Sequence, residues 1–166
     1  MVENSCCFTG HRIYKLPRDV LKQRLWAAIT WMVEKDVENF YAGGAIGFDT
    51  MAEVAVLQIK ETFPWIKLHL ALPCPEQAEK WSLEDAKNLE CIKERADSVT
   101  YTSPHYTEDC MHIRNRYLVD HCKYCIYLLE RPRSGTNSTV AYACEKGRVL
   151  IGLSDYGLNS EWRLLY

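Results

Sequence analysis

The run Phe40-Tyr41-Ala42-Gly43-Gly44-Ala45-Ile46-Gly47-Phe48-Asp49-Thr50-Met51-Ala52-Glu53 constrains the fold more than any other stretch of this chain. An apolar segment from Val37 to Ala42 reads as the end of a strand, then passes through three glycines in five positions. Ala52, Val56, Ile59 and Phe63 follow at spacings of four, three and four, which is one face of a helix. Thr50 and Glu53 stand at capping-box spacing, so the helix is expected to start near Thr50. Strand, glycine turn and helix together aim free backbone N–H groups at an anion, and glycine lets the backbone come close to it. The same pattern also serves as a tight βα connection with no ligand. It matches neither the G-x-G-x-x-G dinucleotide fingerprint nor the G-x-x-x-x-G-K-[ST] phosphate loop.

The rest of the chain repeats the alternation. Ser5 to Phe8, Ile66 to Leu72, Ser98 to Tyr101, Tyr124 to Leu129 and Arg148 to Gly152 read as further strands. Between them lie helical stretches. Pro17 suits a first helical position, and Val20, Leu21, Leu25, Ala28, Ile29 and Met32 form a stripe behind it. Glu76 to Arg95 is one helix or two short ones, Asp109 to His121 is another, and the last starts at Asn137 or Ser138 and is ended by Gly147. The continuous apolar run Tyr124 to Leu129 suits a central parallel strand covered on both faces. The expected fold is therefore a three-layer, Rossmann-like α/β domain with a mostly parallel sheet of five to seven strands. It should occupy residues 1–153, with residues 154–166 as a C-terminal tail packed on it, carrying Tyr156, Trp162 and Tyr166.

Composition excludes several classes. The 166 residues suit one domain, and a chain of this length buries roughly 70% of its unfolded surface without help from metal or disulfides. Net charge is −2 and there is no long basic run, which disfavours nucleic acid as a partner. No apolar run approaches the roughly 20 residues of a membrane span. The N-terminus has no signal-peptide pattern, so a cytoplasmic location is expected. The eight cysteines should then be reduced, and most, such as Cys6, Cys7, Cys125 and Cys144, sit beside apolar residues as small buried hydrophobes do. Cys122-x-x-Cys125 has no second pair at zinc spacing, so no metal is assigned. Whether the chain forms a homodimer is left open.

In open parallel sheets ligands bind beyond the carboxyl ends of the strands. Thr9, Gly10, His11 and Arg12 follow the first strand, and Gly43, Gly44, Gly47 and Asp49 the second. Arg131, Arg133, Ser134, Gly135, Thr136 and Asn137 follow the fifth. Small, hydroxyl and cationic residues thus gather at one edge, as a phosphate site requires. Arg12 offers a donor fork to a phosphate. Asp49 either accepts from a ribose hydroxyl or caps the helix, and Glu53 either completes the capping box or faces the ligand as an acid/base group. Arg114 can reach a phosphate and Asn115 a base or sugar, or the two tie their helix to a neighbouring loop. His11 either contacts ligand or is satisfied by backbone. A phosphate is expected between Gly10, Gly43, Gly44 and Gly135-Thr136, with its sugar toward Asp49 and Asn115.

Thr9-Gly10-His11-Arg12, Gly43-Gly44-Ala45-Ile46-Gly47-Phe48-Asp49 with Ala52-Glu53, Ala71-Leu72-Pro73, Trp81, Arg114-Asn115 and Gly135-Thr136, in this order, resemble the YpsA-like proteins of the SLOG superfamily. That superfamily also holds the DprA DNA-processing proteins and the LOG phosphoribohydrolases. The resemblance runs from Cys6 to about Ile151. It implies a Rossmann-like fold and a nucleotide or nucleotide-derived ligand, of the ADP-ribose type, at the strand ends; the expected role is that of a sensor or carrier. Hydrolysis of the LOG type is the alternative, with Glu53 or Asp49 as the catalytic candidates, and DprA-like single-strand DNA binding a third. LOG enzymes carry P-G-G-x-G-T-x-x-E, and here Thr139 stands at the position of that glutamate. A hydroxyl is no general base near neutral pH without a partner base.

Overall fold

The computed structural model describes residues 2–154; the expected tail, apart from Ser154, lies outside the described residues. Among the described residues six strands and five α-helices alternate: β1 Ser5–Gly10, α1 Arg18–Glu34, β2 Asn39–Ala42, α2 Phe48–Lys60, β3 Lys67–Leu72, α3 Leu83–Arg95, β4 Ser98–Tyr101, α4 Cys110–Asp120, β5 Tyr124–Leu128, α5 Gly135–Glu145 and β6 Val149–Gly152. The strands form one sheet in the order β4-β3-β2-β1-β5-β6, and every pairing is parallel. A three-layer Rossmann-like α/β fold is what the alternation requires, because each parallel crossover must carry a helix across a face of the sheet. Among the described residues no helix is long and apolar enough to cross a membrane.

Side-chain alternation along β1 divides the core. Cys6 and Phe8 point into the larger cluster, with Leu21, Leu25 and Ile29 of α1 and Ala52, Val56 and Ile59 of α2. Cys7 points the other way, into a smaller cluster with Leu118 and Val119 of α4 and Val140 and Ala143 of α5. So α1, α2 and α3 cover one face, and α4 and α5 the other. The Phe8 ring stacks on Phe40 at 6.1 Å and meets Phe48 edge-on at 6.5 Å, joining β1, β2 and the start of α2.

Several expected details change. The helix after the glycine turn starts at Phe48, two residues before Thr50, and the capping box does not form. Glu53 instead accepts from the Gly44 N–H at 2.8 Å, and the Thr50 hydroxyl donates to the Ala45 carbonyl at 3.0 Å. Long-range satisfaction of a folded-back turn outweighs the local cap. The stretch from Glu76 yields a single helix, α3, which begins only where the Ser82 hydroxyl caps Asp85 N–H at 3.1 Å. The last helix starts at Gly135, two residues earlier than expected, because Ser134 caps it through Asn137 N–H at 3.1 Å. Six cysteines are buried, but Cys91 and Cys144 are exposed, since they lie on the outer faces of α3 and α5. Among the described residues no cluster of His, Cys, Asp or Glu has the makings of a metal site.

Candidate functional site

Chain direction in the sheet reverses at β1. From β1 the chain runs outward through β2, β3 and β4, then returns to place β5 on the other side of β1. Loops leaving β1 and β5 therefore diverge, and the crevice between them is where such sheets bind ligands. A cavity of about 330 Å³ opens there. The β1 end and the following loop supply Thr9, Gly10, His11 and Arg12; the β5–α5 loop supplies Arg131, Ser134, Gly135 and Thr136. From α4 come Met111, Arg114, Asn115 and Leu118, whose spacing of three, one and three marks one helix face. Asp49, from the first turn of α2, is the carboxylate on the wall.

Gly135 and Thr136 open α5, and their N–H groups meet no acceptor among the described residues, because Ser134 serves Asn137 and Ser138. They are the orphan donors of a helix start, facing an open space. Arg12 is exposed and carries no ion pair or hydrogen bond among the described residues. Arg131 donates once, to the Ile13 carbonyl at 3.0 Å, which leaves most of its fork unused. Two cations and a helix N-terminus thus look onto one volume.

The loop between β1 and α1 is held in place from β5. The Glu130 carboxylate accepts from the N–H groups of Lys15 and Leu16 at 2.7 and 2.9 Å, and the Glu130 N–H donates to His11 Nε2 at 2.8 Å. An N–H donor at Nε2 requires a lone pair there, so neutral His11 carries its proton on Nδ1. Burial pulls the His11 pKa down, and the Arg131 charge adds to this against the opposing pull of Glu130.

Beneath the cavity lies a buried polar triad. Arg114 is almost fully enclosed and donates through Nη1 to the Gly43 carbonyl and through Nε to Asn115 Oδ1 at 2.8 Å. Asp49 accepts from the Ala45 N–H at 3.2 Å. Burial raises the pKa of Asp49, opposed by Arg114, and raises that of Glu53 further, with the neighbouring Asp49 charge adding to it. Desolvation thus favours the protonated form at both carboxyls, most strongly at Glu53.

Most sequence candidates meet at this cavity: Thr9, Gly10, His11, Arg12, Asp49, Arg114, Asn115, Gly135 and Thr136 line it. Gly43, Gly44, Gly47, Glu53 and Asn137 are not on its wall. A side chain on Gly43 would begin 2.5 Å from the Arg114 guanidinium. Gly44 has φ +67°, and a Cβ there would lie 2.2 Å from Leu72, a residue that does not line the cavity. Gly47, at φ +82°, packs so closely on the Arg12 carbonyl that a Cβ would stand 2.2 Å from it. The glycine turn is therefore packed against the chain itself. Thr139 is buried within α5 and donates to the Gly135 carbonyl at 2.8 Å, so no acid occupies the position of the LOG glutamate. Arg131 and Ser134 join the wall beside the candidates; their signal was their place just after the most apolar strand.

A doubly wound parallel domain with a polar, cation-flanked cavity at its switch point is the class that fold and site define. The profile of the YspA SLOG family matches residues 6–148, and the chain belongs to that family. Among curated relatives, the SPbeta prophage-derived protein YoqJ of Bacillus subtilis (strain 168) is 27% identical over 136 residues, covering 74% of this chain and 80% of its own. A UPF0398 protein of Halalkalibacterium halodurans is 28% identical over 120 residues, covering 71% of this chain and 64% of its own. In structure, the DNA processing protein A of Streptococcus pneumoniae superposes with a TM-score of 0.64 at 18% identity, over 89% of this chain and 49% of that one. The Helicobacter pylori protein, described for its single-stranded DNA binding mode, gives 0.64 at 17% identity, over 99% of this chain and 71% of that one. The chain thus spans about half of the Streptococcus protein, and the likeness shows the fold.

Proposed function

We propose that the cavity beyond β1 and β5 binds the phosphate of a nucleotide-derived ligand of the ADP-ribose type, and that the protein works in the cytoplasm as a sensor or carrier of it. The observation that carries this reading is the pair of unpaired N–H groups at Gly135 and Thr136, facing Arg12 and Arg131 across the switch point. A helix N-terminus attracts an anion by roughly 0.3–1 kcal/mol, and up to about 2 when partly buried. Each arginine contact adds about 1.5–3 kcal/mol as a hydrogen bond to a charged group. Asn115 stands on the same wall to take the sugar.

A second reading, hydrolysis of an N-glycosidic bond, draws on Asp49. Among the candidate acids it is the one on the cavity wall, and its burial holds its pKa up, as a proton donor requires. Thermal-shift titration with AMP, NAD and ADP-ribose tests binding: ligand at 100 times its Kd should stabilise the fold by about 2.7 kcal/mol. Product analysis of the same mixtures separates the readings. Turnover lost in Asp49→Asn supports hydrolysis, and binding without turnover supports the sensor. A short single-stranded oligonucleotide in the same series tests the activity described for the Helicobacter protein, and binding to it alone would displace both readings.

A further inference from the structure

The helix face remote from the cavity carries a second groove, of about 560 Å³. Its floor is α2, which packs between α1 and α3. One wall, from α1, bears Arg18 and Lys22, one turn apart; the other, from the first turns of α3, bears Glu84 and Asn88, also one turn apart. Arg18, Lys22 and Glu84 are exposed and make no ion pair or hydrogen bond among the described residues. Next to it in the chain stand Ile13 and Leu83, which at 79% and 72% exposure are the two most exposed large hydrophobic residues described. They neighbour the lining residues Tyr14 and Glu84 in sequence. Charged walls of opposite sign with bare apolar side chains beside them are what a protein interface carries before its partner arrives.

We infer that this groove is the interface of a homodimer whose two-fold axis runs along α2. Self-complementarity of the two walls selects this axis. An isologous contact sets the same patch of both subunits face to face. A two-fold axis across the groove would lay each α1 wall on its counterpart, cation on cation. An axis along the groove exchanges the walls, so the α1 wall of one copy covers the α3 wall of the other. Height along the groove is then preserved, and the heights agree. All three helices follow parallel strands and so begin at the same edge of the sheet. Arg18 is the first residue of α1 and Glu84 the second of α3, which brings Arg18 of each copy opposite Glu84 of its partner subunit. One turn further on, Lys22 meets the polar Asn88. Beside them, Ile13 meets Leu83. The ion pairs fix orientation and exclude the wrong axis, while apolar area from this pair and from Tyr14, Met51 and Val54 supplies attraction. Both ligand cavities then open at the same end of the dimer, since the axis is parallel to the strands. This inference does not depend on what the cavities bind.

Sedimentation velocity on the intact chain, over a range of concentrations, tests it. The wild type should sediment at twice the chain mass. Arg18→Glu alone and Glu84→Lys alone should each be monomeric, because each places like charges together twice in its own dimer. Mixed in equal amounts, the two variants should re-form a dimer, since in that pair every contact again joins opposite charges. Leu83→Asp should be monomeric and should not be rescued by mixing. All three positions are exposed, so unchanged melting temperatures check that the monomers are folded. A monomeric wild type at every concentration overturns the inference. So does a dimer that persists in both charge variants, or a mixture that stays monomeric.

Discussion

Two helices of this domain begin at the carboxyl edge of the sheet on either side of the same cavity, and they begin differently. At α2 the space before the first turn is filled by the protein. Gly47 lies against the Arg12 carbonyl, the Phe48 N–H donates to the His11 carbonyl at 3.2 Å, and Gly43 gives way to the Arg114 side chain. At α5 the space is left open. Only Ser134 caps it, a Cβ on Gly135 would meet nothing within 4 Å, and two N–H groups face the cavity. A glycine-rich turn and an open helix start are thus separate things here. Glycine density marks where the backbone is crowded, and unpaired donors mark where a ligand can go. The crowded start also supports the loop that presents Arg12.

The largest way to break the contrast is a methyl group at each start. Gly47→Ala combines a left-handed φ with a contact to backbone, and should cost about 3 kcal/mol, from roughly 1–2 for the conformation and 1–3 for overpacking. Gly135→Ala has room and should change stability by no more than about 0.5 kcal/mol. Thermal melts of both variants decide it, with the first falling by about 6–12 °C. Equal losses would erase the distinction.

Next in size is the effect on binding. Arg12→Ala should weaken ADP-ribose about tenfold or more while leaving the melting temperature of the free protein nearly unchanged, since 1.4 kcal/mol is a factor of ten and Arg12 is exposed. Calorimetric titration measures this. Undiminished affinity would remove Arg12 from the seat.

The smallest effect sharpens the packed side of the comparison. Glu53 is buried with a raised pKa, so the native state holds its proton more tightly than the unfolded chain. Its contribution is fully present below about pH 4.5, the ordinary value, and is lost as pH rises through the higher folded value. Glu53→Gln keeps an acceptor for the Gly44 N–H and has no proton to lose. The melting temperature of the wild type should therefore fall relative to the variant as pH rises above 4.5. A constant difference across pH would mean that Glu53 does not titrate abnormally.

The fold was legible because strands and helices announce themselves locally: the six apolar runs and the stripe on α1 need no knowledge of their neighbours. Convergence of Thr9–Arg12 with Gly135-Thr136 was legible too, since parallel topology forces the loops after β1 and β5 together. Side-chain destinations were not. Glu53 stands at capping-box spacing, yet its carboxylate turns to Gly44, nine residues back in the sequence, because the turn folds under the helix. Arg114 fills the place beside Gly43 from 71 positions away, and no pattern in the glycines tells a ligand from an arginine. For the same reason the phosphate seat, expected between Gly10, Gly43, Gly44 and Gly135-Thr136, narrows in our reading to the α5 side of the cavity.

Amide resonances of the 15N-labelled protein, followed during titration with ADP-ribose, test this reading most directly, because the unpaired N–H groups are themselves the observed atoms. The account predicts that the Gly135 and Thr136 amides shift most, together with the Arg12 and Arg131 side chains, while Gly43 and Gly44 barely move. Saturable binding with the largest shifts at Gly43 and Gly44, and none at Gly135 and Thr136, would contradict it.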